Sequence, residues 1–185
     1  MRLEDLNNLD TDAAIDGLLR CCGSTRWAQR VAAARPFANV EQLVATADTV
    51  WSSLDRSDWL EAFAAHPRIG ERPVSSGAGR AGEASSAGEA GGASRASGAE
   101  WAEQEQAGTR LANDKQRERL VARNREYEAR FGHIFIVCAA GKSAGEMLAL
   151  LTERLTNQPA LELQVAAEEQ RKITRLRLAK LLGGE

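Results

Sequence analysis

Three polar side chains in this sequence stand at positions where helical spacing calls for an apolar residue or a helix end. The first is His66, in the run "LEAFAAHPRIGER" at 60–72, and it is one of two histidines in the chain. Pro67 disfavours helical geometry at the residue before it, so the helix must stop at His66. A helix end presents unpaired carbonyls and a partial negative charge. That favours the imidazolium, so the His66 pKa is expected above its ordinary value of about 6.5, giving a proton donor at neutral pH. The plain alternative is an exposed histidine at a helix end. The second is Glu105, in "WAEQEQAGT" at 101–109, where Trp101, Glu105, Gly108 and Ala112 share one helical face. A carboxylate on a packed face is costly unless something pairs with it, and the alternative is a glutamate that reaches water at the edge. The third is Arg154, seven residues after Met147 with Leu150 and Leu151 between. It belongs to the apolar stripe of its helix, and its fork of donors suits a carboxylate or an imide. A snorkelling arginine or a structural ion pair is the alternative. If these helices pack together, the three groups make a small polar site for an anionic, nitrogen-rich ligand. Spacing alone does not establish that they converge.

The elements that must carry them read as helical nearly throughout. Residues 11–22 place Ala14, Ile15, Leu18, Leu19 and Cys22 at helical spacing, with Gly23 as a stop. "TRWAQRVAAA" is a second helix, ended by Arg35 and Pro36. Asn39 caps a third, with Gln42 three residues on and Leu43, Val44 and Ala47 inward. Ser57 is the expected cap of a fourth, running through Trp59, Leu60 and Phe63. Residues 75–98 hold no apolar side chain larger than alanine. They cannot bury enough surface to offset their ordering entropy, and are expected to be a flexible Gly/Ala/Ser loop. Helicity resumes over 99–130, with Trp101, Leu111, Leu120, Val121 and Tyr127 as apolar positions. "IFIVCAA" at 134–140 reads as a strand, a buried helical turn or an extended stretch, which periodicity does not separate in so short a run. Ser143 and Glu146 form a capping box for the next helix, which carries Met147, Leu148, Leu150, Leu151 and Leu155. Pro159 opens the last, with Leu161, Val165, Ile173 and Leu176 expected inward. The predicted architecture is all-α: a single-domain bundle of about seven to eight helices spanning 1–185, with the one long loop at 75–98.

Composition sets the class. At 185 residues the chain suits one core, and 43% hydrophobic with 27% charged residues is ordinary for a soluble globular protein. A net charge of −2 gives no basic footprint, so no nucleic acid is expected as partner. The apolar runs are too short to span a bilayer, so no membrane is expected either. The N-terminal residues lack an apolar signal core and the C-terminal ones lack a lipidation address, which makes cytoplasm the expected setting. Cys21, Cys22 and Cys138 are a poor disulfide framework and read as reduced thiols. No recognisable set of metal ligands is present, and no metal is expected.

Taken in order, "RWAQRVAAARPF", "WLEAFAAHPRIGE", "EQAG", "RFGHIFIVCAAGKSA", "ERLTN" and "EEQRKITRLRL" cover nearly the full length. The chain resembles the 2-oxo-4-hydroxy-4-carboxy-5-ureidoimidazoline decarboxylases of urate degradation. The histidine-proline block and the "RFG…FIVCA" block, at this spacing, are the specific parts. The resemblance implies an all-helical fold, a homodimer, and a decarboxylase that needs no metal or organic cofactor and yields (S)-allantoin from a small-molecule ureidoimidazoline. It implies His66 as catalytic acid/base with Glu105 as its partner. It also implies a substrate-binding set of Pro67, Ala102, Gln106, Arg154 and the backbone wall Phe135, Ile136, Val137, Cys138 and Ala139.

The residues suit that chemistry. Loss of CO2 leaves an electron pair that the ring's own C=N and carbonyl groups can hold, so no cofactor is needed as an electron sink. The protein must supply orientation, charge complementarity and a proton to one face. On this reading His66 donates that proton, Arg154 pairs with a substrate oxygen, Glu105 accepts N–H bonds and helps keep His66 charged, and Gln106 meets an amide edge. Two positions depart from the family pattern. Ala102 stands where a serine is usual, which removes a hydroxyl contact unless Ser97 supplies it. His133 stands where an aromatic residue is common, and is expected to pack or to line a pocket rim. The competing readings are a family member that has lost catalysis and binds small molecules, and an all-α interaction module working through the charged 113–130 run.

Overall fold

The computed structural model describes residues 1–69 and 114–183. Among these residues there are eight helices and no strand: α1 (Leu3–Asn8), α2 (Thr11–Leu19), α3 (Thr25–Ala33), α4 (Val40–Ser52), α5 (Arg56–Ala64), α6 (Asp114–Phe131), α7 (Ala144–Arg154) and α8 (Pro159–Leu181). The all-α expectation holds. The 75–98 loop, Trp101, Ala102, Glu105, Gln106 and Leu111 lie outside the described residues, as does any part of α6's expected helix before Asp114.

The helices begin where side chains can satisfy their free N–H groups. Asn39 Oδ1 accepts from Gln42 N at 2.8 Å, and Ser143 and Glu146 form the reciprocal box that opens α7. The expected Ser57 cap is corrected to Asp55, whose Oδ1 accepts from Ser57 N at 3.0 Å and Asp58 N at 3.2 Å. The carboxylate is the stronger acceptor, and Ser57 Oγ itself donates to it at 2.6 Å. Helix α1 was not legible from periodicity because it has only six residues. It is tied down by Arg35 Nη1, which donates to Leu6 O at 2.8 Å and Leu9 O at 2.7 Å. Asn7 and Phe37 add a reciprocal pair of bonds.

Two apolar clusters make the core. One gathers Leu18, Trp27, Leu43, Trp51, Phe63, Ala167 and Leu178 from α2, α3, α4, α5 and α8. The other gathers Leu120, Tyr127, Phe131, Met147 and Leu151 from α6 and α7. The indole N–H groups of Trp27 and Trp51 are satisfied by the carbonyls of Ala47 and Ala167, both at 3.0 Å. All three cysteines are free thiols.

Helix α8 corrects the sequence reading most. Leu161 and Leu176, expected inward, are 51% and 39% exposed. The buried face instead carries Glu162, Ala166, Ala167, Gln170, Ile173, Thr174, Arg177, Leu178 and Leu181. Ile173 is inward as expected, but four of those side chains are polar, so hydrophobic periodicity misplaces Leu161 and Leu176.

Gly23 is a glycine for a packing reason rather than as a left-handed helix stop. A Cβ there would lie 2.3 Å from Ala65 Cβ and 3.6 Å from Ala62 O. The α2–α3 link therefore sits directly on the end of α5, next to His66. Gly23→Ala must push these elements apart, and is expected to cost about 1–3 kcal/mol. A lowered urea midpoint with an unchanged m-value would check this.

Candidate active site

His66 follows the last turn of α5. Its backbone N–H donates to Phe63 O at 3.1 Å, and Ala65 N donates to Ala62 O at 3.3 Å, so carbonyls of the helix end are already occupied. The residue as a whole is half-buried, but Nε2 is sealed from solvent and has no hydrogen-bond partner. Burial pushes the His66 pKa down to about 3. The Arg177 guanidinium also lowers it, and the nearby Gln170 side chain raises it. The expected upward shift is therefore corrected. Desolvation of the ring and a cation on α8 outweigh a screened helix-end charge worth only about 0.3–1 kcal/mol. His66 is neutral in the free protein. Pro67 follows it, exposed.

Residues 135–139 form the wall. The stretch is extended, and its side chains alternate between the two cores. Ile136 belongs to the first, with Cys138 packed against it, while Phe135, Val137 and Ala139 belong to the second. This is strand periodicity without a neighbouring strand among the described residues, so charged side chains take over the role of a sheet partner. Ile136 O accepts from Arg154 Nη1 at 2.7 Å, Cys138 N donates to Glu169 Oε2 at 2.8 Å, and Cys138 O accepts from Lys142 Nζ at 2.7 Å.

Arg154 is buried on the same face as Met147 and Leu151, as its spacing predicts. Its Nε and Nη2 donate to Glu162 Oε1 at 2.8 and 2.5 Å, Nη2 also reaches Tyr127 Oη at 3.4 Å, and its Cζ lies 4.6 Å from the Phe135 ring centroid. Glu162, 0% exposed, also accepts from Asn157 Nδ2 at 2.7 Å and makes a short bond with the Tyr127 hydroxyl. Burial pushes the Tyr127 pKa up. With four bonds made and five donors available, Arg154 keeps one Nη1 hydrogen free of these partners.

His133 packs as expected. Its ring lies 5.3 Å from Phe63 and 5.5 Å from Tyr127, and burial holds its pKa below the ordinary value. It lines a cavity of about 340 Å³ with Leu60, Phe63, Arg68 and Glu128. Arg68 and Glu128 form a two-bond ion pair beside this cavity, at 2.7 and 2.9 Å.

The structure thus sets Arg154 against the wall and His66 against α8. The helix α8 links the two, because Glu162 holds Arg154, Glu169 holds Cys138 and Gln170 faces His66. None of Tyr127, Glu162, Glu169, Gln170 or Arg177 was singled out in the sequence. A usable signal was present: Glu162, Gln170, Thr174 and Arg177 share a helical face with Ala166, Ala167, Ile173 and Leu178.

The OHCU decarboxylase family model matches residues 7–179, and the chain belongs to that family. Among its relatives, the uric acid degradation bifunctional protein TTL of Arabidopsis thaliana is 37% identical over 161 residues, which is 87% of this chain. The chain spans only 45% of that relative's length. The 2-oxo-4-hydroxy-4-carboxy-5-ureidoimidazoline decarboxylase of Amia calva is 34% identical over 148 residues, covering 80% of this chain and 75% of that protein. A crystal structure of OHCU decarboxylase in the presence of (S)-allantoin superposes with a TM-score of 0.71 at 34% identity, over 91% of this chain and 98% of the other. Among the described residues no helix is long and apolar enough to cross a membrane.

Two outcomes follow for stability. An unfolded His66 binds its proton near pH 6.5, whereas the folded one does so only near pH 3. Stability is therefore lost as pH falls through 6.5, by about 1.4 kcal/mol per pH unit, or about 2 kcal/mol by pH 5. Denaturant titrations at both pH values should show this loss in the wild type and a smaller one in His66→Gln. Separately, Glu162→Leu strands the Arg154 charge and is expected to cost about 3–5 kcal/mol. Adding Arg154→Met should recover part of that loss in a double-mutant cycle.

Proposed function

We propose that this protein decarboxylates 2-oxo-4-hydroxy-4-carboxy-5-ureidoimidazoline to (S)-allantoin. The carrying observation is an uncharged, desolvated His66 at the end of α5, in a chain matched by the family from residue 7 to 179.

In this reading the C4–carboxylate bond breaks and CO2 leaves. The electron pair forms C4=C5, the C5=N pair moves onto the ring nitrogen, and that nitrogen takes a proton from solvent. A neutral imidazole is suited to what remains. It removes the 4-hydroxyl proton as C4=O forms, and delivers a proton to one face of C5. Because His66 starts uncharged, it accepts a proton first and donates one second, which is how one group serves both transfers. The substrate's negative charge, once bound, favours the imidazolium that forms between them.

Arg154 contributes its charge and its remaining Nη1 hydrogen to a substrate oxygen. Its other donors keep the wall carbonyl of Ile136 and the Glu162 carboxylate in place. The backbone of 135–139 offers a flat, apolar, pre-ordered face to the heterocycle. Pro67, Glu105, Gln106 and Ala102 complete the proposed substrate set, with Glu105 partnering His66. The reading extends to a homodimer acting in the cytoplasm, which sedimentation and cell fractionation test.

The direct test generates the ureidoimidazoline from urate with the two upstream activities and follows circular dichroism as allantoin forms. The wild type is expected to give one enantiomer rapidly. His66→Ala should fall at least about 10²-fold, towards the slow racemic background. Equal, racemic rates for both proteins would reduce the family membership to a shared fold.

A further inference from the structure

Among the described residues, two buried polar atoms have no hydrogen-bond partner: Nε2 of His66, and Oε1 of Gln170 on α8. Each such atom costs about 1–3 kcal/mol when left unsatisfied, so a neighbouring pair of them is unlike the rest of this core. The two side chains are close enough that the Gln170 amide raises the His66 pKa, although no formed hydrogen bond joins them.

The amide of Gln170 has a definite orientation. Thr174 Oγ1 spends its only hydrogen on Gln170 O, at 3.0 Å. Towards the amide it can only accept, and Gln170 Nε2 donates to it at 3.3 Å. That places the NH2 group on Thr174 and leaves the carbonyl oxygen for the imidazole. A neutral imidazole carries one N–H. With Nε2 bare, two lone pairs would face each other in a dry site. With Nε2 protonated, a donor meets a free acceptor.

We propose that Gln170 is a positioning residue for His66: its amide oxygen receives Nε2–H and fixes the neutral tautomer that leaves Nδ1 as the basic nitrogen of the site. Arg177, one turn beyond Thr174 and buried, opposes a second proton on the ring. Among the described residues, the other titratable groups nearby do not offset it. The Cys22 thiol, on the α2–α3 link beside Thr174, is pushed up to about 12 by burial and stays neutral. Glu61 on α5 is engaged by Thr25, whose N and Oγ1 donate to it at 3.1 and 2.6 Å. Substrate then arrives at a ring that is uncharged and already turned, rather than one that must choose between tautomers.

The inference rests on His66 serving the reaction proposed above, but its first test needs no activity. Imidazole ¹⁵N spectra of the free, unmodified chain at pH 7 are expected to show His66 neutral and protonated at Nε2, with His133→Phe assigning the two histidines. Gln170→Leu should mix the tautomers and lower kcat about 10- to 100-fold, with KM changed less than about threefold. Gln170→Glu keeps an acceptor and adds a charge, so it should retain the Nε2–H signal and move the His66 titration, and the acidic limb of the kcat/KM profile, to higher pH. An Nδ1–H tautomer in the wild type overturns the proposal. So does a Gln170→Leu protein with unchanged tautomer and unchanged kcat. If Gln170→Leu fails to fold, the wild-type spectrum and Gln170→Glu still decide. A chain that shows the Nε2–H tautomer but no decarboxylation would sink the functional reading and leave this one standing.

Discussion

An extended, largely buried stretch of backbone with no sheet to join among the described residues is the constraint around which this fold is organised. Residues 135–139 lie between two apolar cores, and each of their polar backbone groups that stays unpaired would cost about as much as a lost hydrogen bond. The buried Arg154–Glu162 pair meets part of that cost, because the arginine that bonds Glu162 also bonds the Ile136 carbonyl. Buried ion pairs contribute little net stability, since desolvation offsets attraction. This one is better understood as a means of fixing where the wall lies, with the Tyr127 hydroxyl and Asn157 amide completing the carboxylate's shell. Among the described residues this leaves one Nη1 hydrogen of Arg154 without a partner.

Helix α8 carries the consequences across the molecule. From Glu162 to Arg177 it runs about 22 Å at 1.5 Å per residue, and along that length it contacts Arg154, the wall and the His66 end of α5 in turn. A helix that packs through polar groups gives up hydrophobic area. In exchange it supplies fixed donors, acceptors and charge at defined heights, which an apolar stripe does not do. The exposed Leu161 and Leu176 are the counterpart of that choice, being leucines on the face the polar residues leave outward.

His66 shows how magnitude decides between two correct principles. Its place at a helix end does favour the imidazolium, but that effect is small and is screened at a surface. Sealing Nε2 from water and setting Arg177 nearby act in the opposite direction and more strongly. The resulting neutral ring suits a proton shuttle better than a permanently charged donor. The close seating of Gly23 on Ala65 and the occupied carbonyls of Ala62 and Phe63 hold the end of α5 in place for it.

Sequence alone determined the helical class, most helix starts and the burial of Arg154, because those follow from local spacing and caps. It also placed the helix end at about His66, since Pro67 disfavours continuation, and α5 stops at Ala64; it showed that the 134–140 run is apolar without saying what it forms. The family blocks carried the family membership, with the histidine-proline and "FIVCA" segments as the specific pieces. Tertiary structure alone decided the state of His66, because desolvation and the Arg177 charge come from α8, more than a hundred residues away. It alone resolved 135–139 as an extended stretch that ends in a turn at Ala140, because periodicity does not separate strand from helix in a short apolar run. It alone showed which face of α8 is inward, since Glu162, Gln170, Thr174 and Arg177 are buried only by virtue of the partners that the fold brings to them.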